Sequence, residues 1–396
     1  MYKYIWSAIV QPTSFCNIDC RYCYLPDRAR SKARVMSQET VEQMIRFLTE
    51  DPNRLRPDFE IVWHGGEPTS VPISFYESAF DIARRVAPEG VRIPHRFTTN
   101  ATLINQQWCD LFKRWGVRIR VSIDGPQWLH DANRVDRSGH GTFERVMRGI
   151  EFLRSNGIPF QALGTLTNQS LDCAEELWQF YRRLGATTLN FSLEEIKGAN
   201  RESTLQSSDY DRCRNFFKTI LELRDRDAPG FFVREVDRLI QGSIYRLGER
   251  PVEPETLPLM IINVAWDGGI STFSPELLDA RHESYGDFIF GNVGTHSLAD
   301  IAKSSKLRLM YSHIWEGVRQ CEKSCHYFKV CGGGCPAPKL FRNGTFKSTE
   351  TTQCRLRVKA AWDAILDYKP GHSLNETALV QPLSFDGERE AIRAIP

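Results

Sequence analysis

Through roughly the first 200 residues, short runs rich in β-branched and aromatic side chains alternate with longer amphipathic stretches, and few folds satisfy that alternation. A parallel sheet covered by helices does, because each return to the same end of a parallel sheet needs a long crossover. The strand segments are IWSAIVQ (5–11), EIVWHGG (60–66), HRFTTNA (95–101), IRVSID (119–124), FQALGTLT (160–167) and TLNFSLEE (188–195). Helical spacing marks SQETVEQMIRFLTE, with Ser37 as N-cap, and ISFYESAFDIARRV. It also marks NQQWCDLFKRW, TFERVMRGIEFLRSNG and LDCAEELWQFYRRLG, the last two stopped by Gly157 and Gly185. The class is therefore α/β.

With 396 residues the chain suits one large α/β unit, over 1–206, and an appended module. From 207 to 260 the pattern turns helical and ends in the connector RPVEPETLP, which defines a bridging segment. A hairpin around Asp267, Gly268 and Gly269 opens a second domain over 261–369. Residues 370–396 lack a sustained period and read as a tail.

The net charge of +2 without like-charge blocks argues against a nucleic-acid partner, whose phosphates need clustered Lys and Arg. No segment approaches the ~18 apolar residues of a membrane span, and the N-terminal apolar stretch is too short for an export signal. Eleven cysteines, an odd number gathered in two groups, suit metal ligation in a reducing compartment, so a cytoplasmic location is expected.

The chemistry is signalled by PTSFCNIDCRYCYLPDR, where Cys16, Cys20 and Cys23 are spaced C-x3-C-x2-C. Three thiolates leave one iron of a four-iron cluster with a free position that can hold a reactive ligand. A structural zinc site would want four closed ligands, and no Cys or His follows within the next forty residues. Past the second strand, WHGGEP places Gly65, Gly66 and Glu67 where backbone and carboxylate can meet an ammonium group; a simple tight turn is the competing reading. Asn100, Ser122 and Asp124 sit at strand ends, and Arg134 offers a guanidinium that can clamp a carboxylate. Asn100 and Asp124 are equally good as caps of the next element.

The cysteine spacing, with Tyr22 before the last thiol, resembles the signature of radical S-adenosylmethionine (SAM) enzymes. The resemblance implies a partial (β/α)6 TIM-like barrel, a 4Fe-4S cluster on Cys16, Cys20 and Cys23, and bound SAM as the source of a 5′-deoxyadenosyl radical. It implies further that Gly65, Gly66 and Glu67 bind the SAM amino group. Ser122 and Arg134 would touch its carboxylate or ribose, with Asn100 nearby and Tyr22 and Leu166 against the adenine.

The second group, CEKSCHYFKVCGGGCPAPKL with a later cysteine, resembles the C-terminal half of a SPASM domain, the auxiliary-cluster module of radical SAM peptide maturases. That likeness implies at least one auxiliary 4Fe-4S cluster, on Cys321, Cys325, Cys331 and Cys354, with Cys335 belonging to a second. The chain departs from the pattern at the DG turn, where Phe273 or Ser274 stands in place of a cysteine, so Cys335 is either orphaned, a replacement for one of the four, or paired with a different ligand. A zinc ribbon is the competing reading of this group. Cys109, Cys173 and Cys213 lie in helical patterns and read as packing thiols.

SIDGP with HDANR, SLEEIKGAN and ISTFSPELL, together with the motifs above, look like the cyclophane-forming maturases of glycine-rich-repeat and related peptides. These join an aromatic ring to the β-carbon of a nearby residue in a ribosomally made precursor peptide. The implied partners are that peptide and an electron donor such as flavodoxin or ferredoxin. Glu194 or Glu195 is a candidate to take the ring proton, one of the two facing inward because neighbours on a strand point opposite ways. With the cysteines starting at residue 16, no leader-binding domain is expected ahead of them. An anaerobic sulfatase-maturase-like oxidation of a Cys or Ser is the alternative activity, and a noncatalytic zinc scaffold the alternative of another class.

Overall fold

The computed structural model describes residues 4–245 and 251–368; the tail expected at 370–396 lies outside them. Six strands form where the sequence places them: β1 (Ile5–Val10), β2 (Leu55–Trp63), β3 (His95–Thr99), β4 (Arg118–Ser122), β5 (Phe160–Leu166) and β6 (Thr188–Leu193). All neighbours in this series pair in parallel, in the order of the chain.

Helices cover one face of the sheet. The helix Ile73–Val86 buries Phe75, Tyr76, Ala79, Phe80 and Ala83. Tyr76 meets Phe97 of β3 at 4.7 Å between ring centroids and Trp63 of β2 at 5.4 Å. Each such large side chain, fully buried, contributes about 1.5–3 kcal/mol by leaving water. Ser37 caps its helix by accepting from Thr40 N, and Gly185 ends the helix Ala174–Leu184 at φ 80°.

Strand alternation then fixes what faces the lumen. Phe97, Ile119, Val121, Phe160 and Ala162 point to the helices, so Arg96, Thr98, Arg120, Ser122, Gln161 and Thr165 point inward. Leu166 pairs with Leu193 and is 1% exposed in the helix-side core. It is therefore turned away from the lumen, and the expected adenine contact is corrected by the register: one residue changes face.

Two extensions of the sheet are not evident from sequence. Beyond β6 lies the two-residue β7 (Phe232–Val233), parallel to it. At the other end, β8 (Ile261–Val264) pairs in parallel with β1, and β9 (Gly269–Thr272) folds back on β8 through the Asp267–Gly268 turn. The expected C-terminal module thus begins inside the barrel's own sheet. A small ladder, β10 (Arg281–His282) with β11 (Gly286–Asp287), follows, and β12 (Gly291–Asn292) closes the edge against β9.

Between the sheet's ends the helix Arg234–Tyr245 spans the open side. Its Arg234 donates to Phe191 O of β6 at 3.0 Å, and its Arg238 lies over the Trp6 ring of β1. Among the described residues no helix is long and apolar enough to cross a membrane.

Candidate active site

Residues 11–26 leave β1 without regular structure, and their backbone is held by three different segments. Cys16 N donates to Arg30 O at 3.1 Å, Asp19 N to Val135 O at 2.7 Å, Arg21 N to Asn133 O at 3.0 Å and Ala199 N to Tyr24 O at 2.7 Å. Gly198 makes the last contact possible, since a Cβ there would lie 2.3 Å from Tyr24 O. Protein contacts thereby fix the course of the loop.

The two glycines of WHGGEP serve this loop directly. Gly66, at φ +63°, would place a Cβ 2.4 Å from Phe15 O and 2.6 Å from Thr13 O. Glu67 does not reach outward: its carboxylate accepts from Thr69 N (2.9 Å), Thr69 Oγ1 (2.6 Å), Thr99 Oγ1 (2.6 Å) and Asn100 N (2.7 Å). At 1% exposure it braces the tips of β2 and β3. The expectation that the Glu67 carboxylate meets an ammonium is corrected: four donors already occupy it, leaving the backbone of the turn as acceptor.

Asn100 donates to Asn17 Oδ1 at 2.9 Å and points the same amide at Cys16 Sγ, 3.9 Å away. Arg134 sits 3.8 Å from Cys20 Sγ and 5.5 Å from the Tyr22 ring centroid. Its Nε is 3.0 Å from Asp124 Oδ1, an ion pair whose angle does not make a hydrogen bond. The Tyr22 hydroxyl donates to Asp124, and Thr165 N to the other Asp124 oxygen at 2.9 Å. Burial opposes the Arg134 charge, but Asp124, Tyr22 and Cys20 outweigh it. Asp124 is thus the hub of the β4 tip. Ser122, half-buried at that tip, has no side-chain hydrogen bond among the described residues.

Cys16, Cys20 and Cys23 lie within electrostatic range of one another. Burial and then Cys20 push Cys23 up to about 12, and burial, Glu67 and then Cys20 push Cys16 higher. Crowded thiolates of this kind need a cationic centre. Three thiolates without a fourth protein ligand among the described residues fit an iron cluster with one open position, whereas structural zinc wants four closed ligands.

The C-terminal thiols divide four and one. Cys331 senses Cys354 and Cys321, and Cys354 senses Cys325. Lys339, 4% exposed, directs its ammonium at Cys321 Sγ, 3.5 Å away, a buried cation whose only hydrogen-bond partner among the described residues is sulfur. That donor set again fits a cluster of thiolates. Cys335, capping the helix Pro336–Asn343, turns away to the barrel mouth, where burial, Glu255 and Glu276 raise its thiol.

At that mouth stands a group the sequence reading missed. Lys197 Nζ meets Glu276 Oε1 at 2.6 Å, and Ser274 Oγ donates to the same carboxylate. Burial pushes Glu276 up, yet Lys197 and Ser274 win and bring it to about 2. The ammonium also lies 5.7 Å from the Tyr24 ring, whose hydroxyl is 3.3 Å from His64 Nε2. Burial brings His64 down to about 4, so it is neutral at pH 7. Lys197 falls inside SLEEIKGAN and Glu276 inside ISTFSPELL, a signal that pairing two remote motifs could have used.

Glu194 and Glu195 are both buried past the end of β6, so strand alternation does not separate them. Glu194 accepts from Thr204 N at 2.6 Å and from its hydroxyl. Glu195 is ion-paired with Arg342 of the C-terminal module. Each carboxylate is thus engaged within the protein, Glu194 with Thr204 and Glu195 with Arg342.

Parallel strands whose tips carry a three-thiol loop and a glycine turn braced against it describe the radical SAM class, and residues 10–180 match the model of the Radical SAM superfamily. The chain is an enzyme of that superfamily, whose members bind a 4Fe-4S cluster and SAM, with auxiliary clusters in SPASM-type relatives. It belongs to one family with the uncharacterized protein sll1766 of Synechocystis sp., 37% identical over 366 residues that cover 90% of each chain. A serine-type anaerobic sulfatase-maturating enzyme of Bacteroides thetaiotaomicron is 25% identical over 85% of this chain and 83% of its own. In fold the chain is similar to native anSMEcpe with bound AdoMet (TM-score 0.75, 21% identity, 91% and 97% of the two chains). It is also similar to Streptococcus suis SuiB bound to precursor peptide SuiA (TM-score 0.62, 16% identity, 89% and 76%).

Proposed function

We propose that this enzyme is a maturase of a ribosomally made peptide that joins an aromatic ring to the β-carbon of a nearby residue. The observation that carries the reading is the Lys197–Glu276 pair, because it brings SLEEIKGAN and ISTFSPELL, two of the motifs that mark such maturases, to one point beside the cysteine loop. SuiB, bound to its precursor peptide, supports a peptide as the substrate.

Cys16, Cys20 and Cys23 would hold the cluster, the Gly65–Gly66 backbone and the Ser122 hydroxyl would meet SAM, and Asn100 and Arg134 would fix two of the thiols. Cys321, Cys325, Cys331 and Cys354 hold an auxiliary cluster. When bound, these groups supply a radical that removes one hydrogen atom and a site that accepts one electron. Coupling also releases a ring proton. Once the electron has left, the ring adduct is a strongly acidic cation, so even a carboxylate held at about 2 accepts its proton. Glu276 takes that role in this reading, and Lys197 keeps it ionised.

A second reading, oxidation of a Cys or Ser in a protein, is favoured by the sulfatase-maturating relatives. Coexpression with short glycine-rich, aromatic-bearing peptides encoded beside the gene, followed by fragmentation mass spectrometry, separates the two. The proposal expects a loss of two hydrogens and a fragment-resistant ring. A formylglycine in a sulfatase peptide, with every aromatic peptide unmodified, would refute it.

A further inference from the structure

Below the strand tips the lumen holds more positive charge than its own carboxylates answer. Arg96 is well served: it pairs with Glu60 at 2.9 Å and donates to Gln161 Oε1 at 2.6 Å. Arg120 shares that same Gln161 oxygen at 3.2 and 3.3 Å and has no carboxylate in ion-pair range among the described residues. Across the lumen, on the helix that closes the open side, Arg234 pairs with Glu235, and Arg357 stands 3.7 Å from that carboxylate. Arg238, next along the same helix face, has the Trp6 ring 5.8 Å from its guanidinium carbon. It has neither a hydrogen bond nor an ion pair among the described residues.

These groups feel one another. Burial and then Arg96 and Arg234 bring Arg120 down to about 9; burial and then Arg234 bring Arg238 down to about 10, with Glu253 pulling the other way. Glu255 attracts Arg357, but burial and Glu253 raise it to about 7, so it is only partly charged at neutral pH. Among the described residues, five guanidinium groups thus face two carboxylates in ion-pair range, Glu60 and Glu235, with Glu253 and the partly charged Glu255 acting on Arg238 and Arg357 electrostatically. Such an excess favours an anion, and Arg238 is open to solvent on the side from which one would enter.

We propose that Arg120 and Arg238 dock a carboxylate of the peptide substrate, carried by an Asp or Glu side chain or by the free C-terminus. The inference rests on the peptide reading above and adds which peptides are chosen. Guanidinium forks suit a carboxylate, and the Trp6 ring holds the Arg238 plane. Position supports it as well. Arg120 is two residues before Ser122 on β4, or about 7 Å below the tip, and it lies close enough to His64 to act on its charge. A peptide anchored there in extended form presents a residue about two positions away to the reacting centre.

The test uses three fluorescent peptides of equal length, Gly/Ser-rich with one Phe: one carries Asp and an amidated end, one is neutral with a free C-terminus, and one is neutral and amidated. Anisotropy is read on iron-loaded, SAM-bound enzyme without reductant. At least one acidic peptide is expected to bind at least tenfold tighter than the neutral amidated one, and the tighter of the two acidic peptides identifies the source. Arg238→Gln should abolish the preference, Arg238→Lys should keep part of it, and affinity for the neutral peptide should stay as it was. Equal binding of all three by wild-type enzyme, or a preference that survives both Arg238→Gln and Arg120→Gln, overturns the proposal. Reductive release of deoxyadenosine by the wild type is measured alongside: its absence would sink the catalytic reading, whereas its presence with indifferent peptide binding would sink only the carboxylate site.

Discussion

Lys197 and Glu276 meet at 2.6 Å although 79 positions separate them and their flanking strands, β6 and β9, lie far apart in the order of the sheet. Closure of the barrel brings them together, and it places a charged pair between the cysteine loop and Cys335. Replacing Glu276 with Gln removes the proton acceptor but keeps the shape. Crosslinked peptide should fall at least a hundredfold, the size of a general-base contribution, while deoxyadenosine is still released. Unchanged crosslinking, measured by quantitative mass spectrometry, would exclude Glu276 from that role.

Gly66→Ala tests the brace between WHGGEP and the cysteine loop. A Cβ 2.4 Å from Phe15 O, on a left-handed backbone, should cost at least about 2 kcal/mol. Reduced iron content per chain and a lower melting temperature are the expected outcome, and Gly116→Ala, where nothing lies within 4 Å, should leave iron content as it was.

Iron counting separates the C-terminal thiols. Cys354→Ala should lower iron by about four atoms of about eight, whereas Cys335→Ala should leave the total unchanged, because Cys335 faces Glu255 and not the other four sulfurs. Equal losses from both variants would place Cys335 among the ligands.

The Glu195–Arg342 pair joins barrel to module. Glu195 is 2% exposed, so Glu195→Ala leaves a buried guanidinium unpaired at a cost of about 3 kcal/mol. Adding Arg342→Met should recover most of it, and chemical denaturation of the four proteins in the cycle measures the coupling.

Glu255 gives a pH signature. Its folded value is raised to about 7 by burial, Glu253 and Glu276, against 4.5 unperturbed. The folded state therefore holds the proton more tightly, and this contribution to stability, complete below the unperturbed value, is lost as pH rises through 7. Between pH 6 and 8 wild-type stability should fall by about 1 kcal/mol on this account, a slope that Glu255→Gln removes. Parallel melting curves across that range decide the matter.

Much of this site was legible before any coordinates. The spacing of Cys16, Cys20 and Cys23 and the periodicity of the six barrel strands are local properties, written within windows of ten or so residues. Leu166 was legible too: in FQALGTL the polar Gln161 and Thr165 alternate with Phe160, Ala162 and Leu166, a phase that already turns Leu166 outward. Glu67 illustrates the opposite case, since its four donors come from Thr69, Thr99 and Asn100, and nothing near WHGGEP announces the last two.

The sequence alone determined which elements form and which sulfurs gather, because helix and strand periods and ligand spacing act over short distances along the chain. Only the tertiary structure decided that β8 pairs with β1, that Arg342 holds Glu195, and that Lys197 finds Glu276. Those choices depend on desolvation and on charges brought together by closure of the sheet, and such energies have no value until both partners are in place.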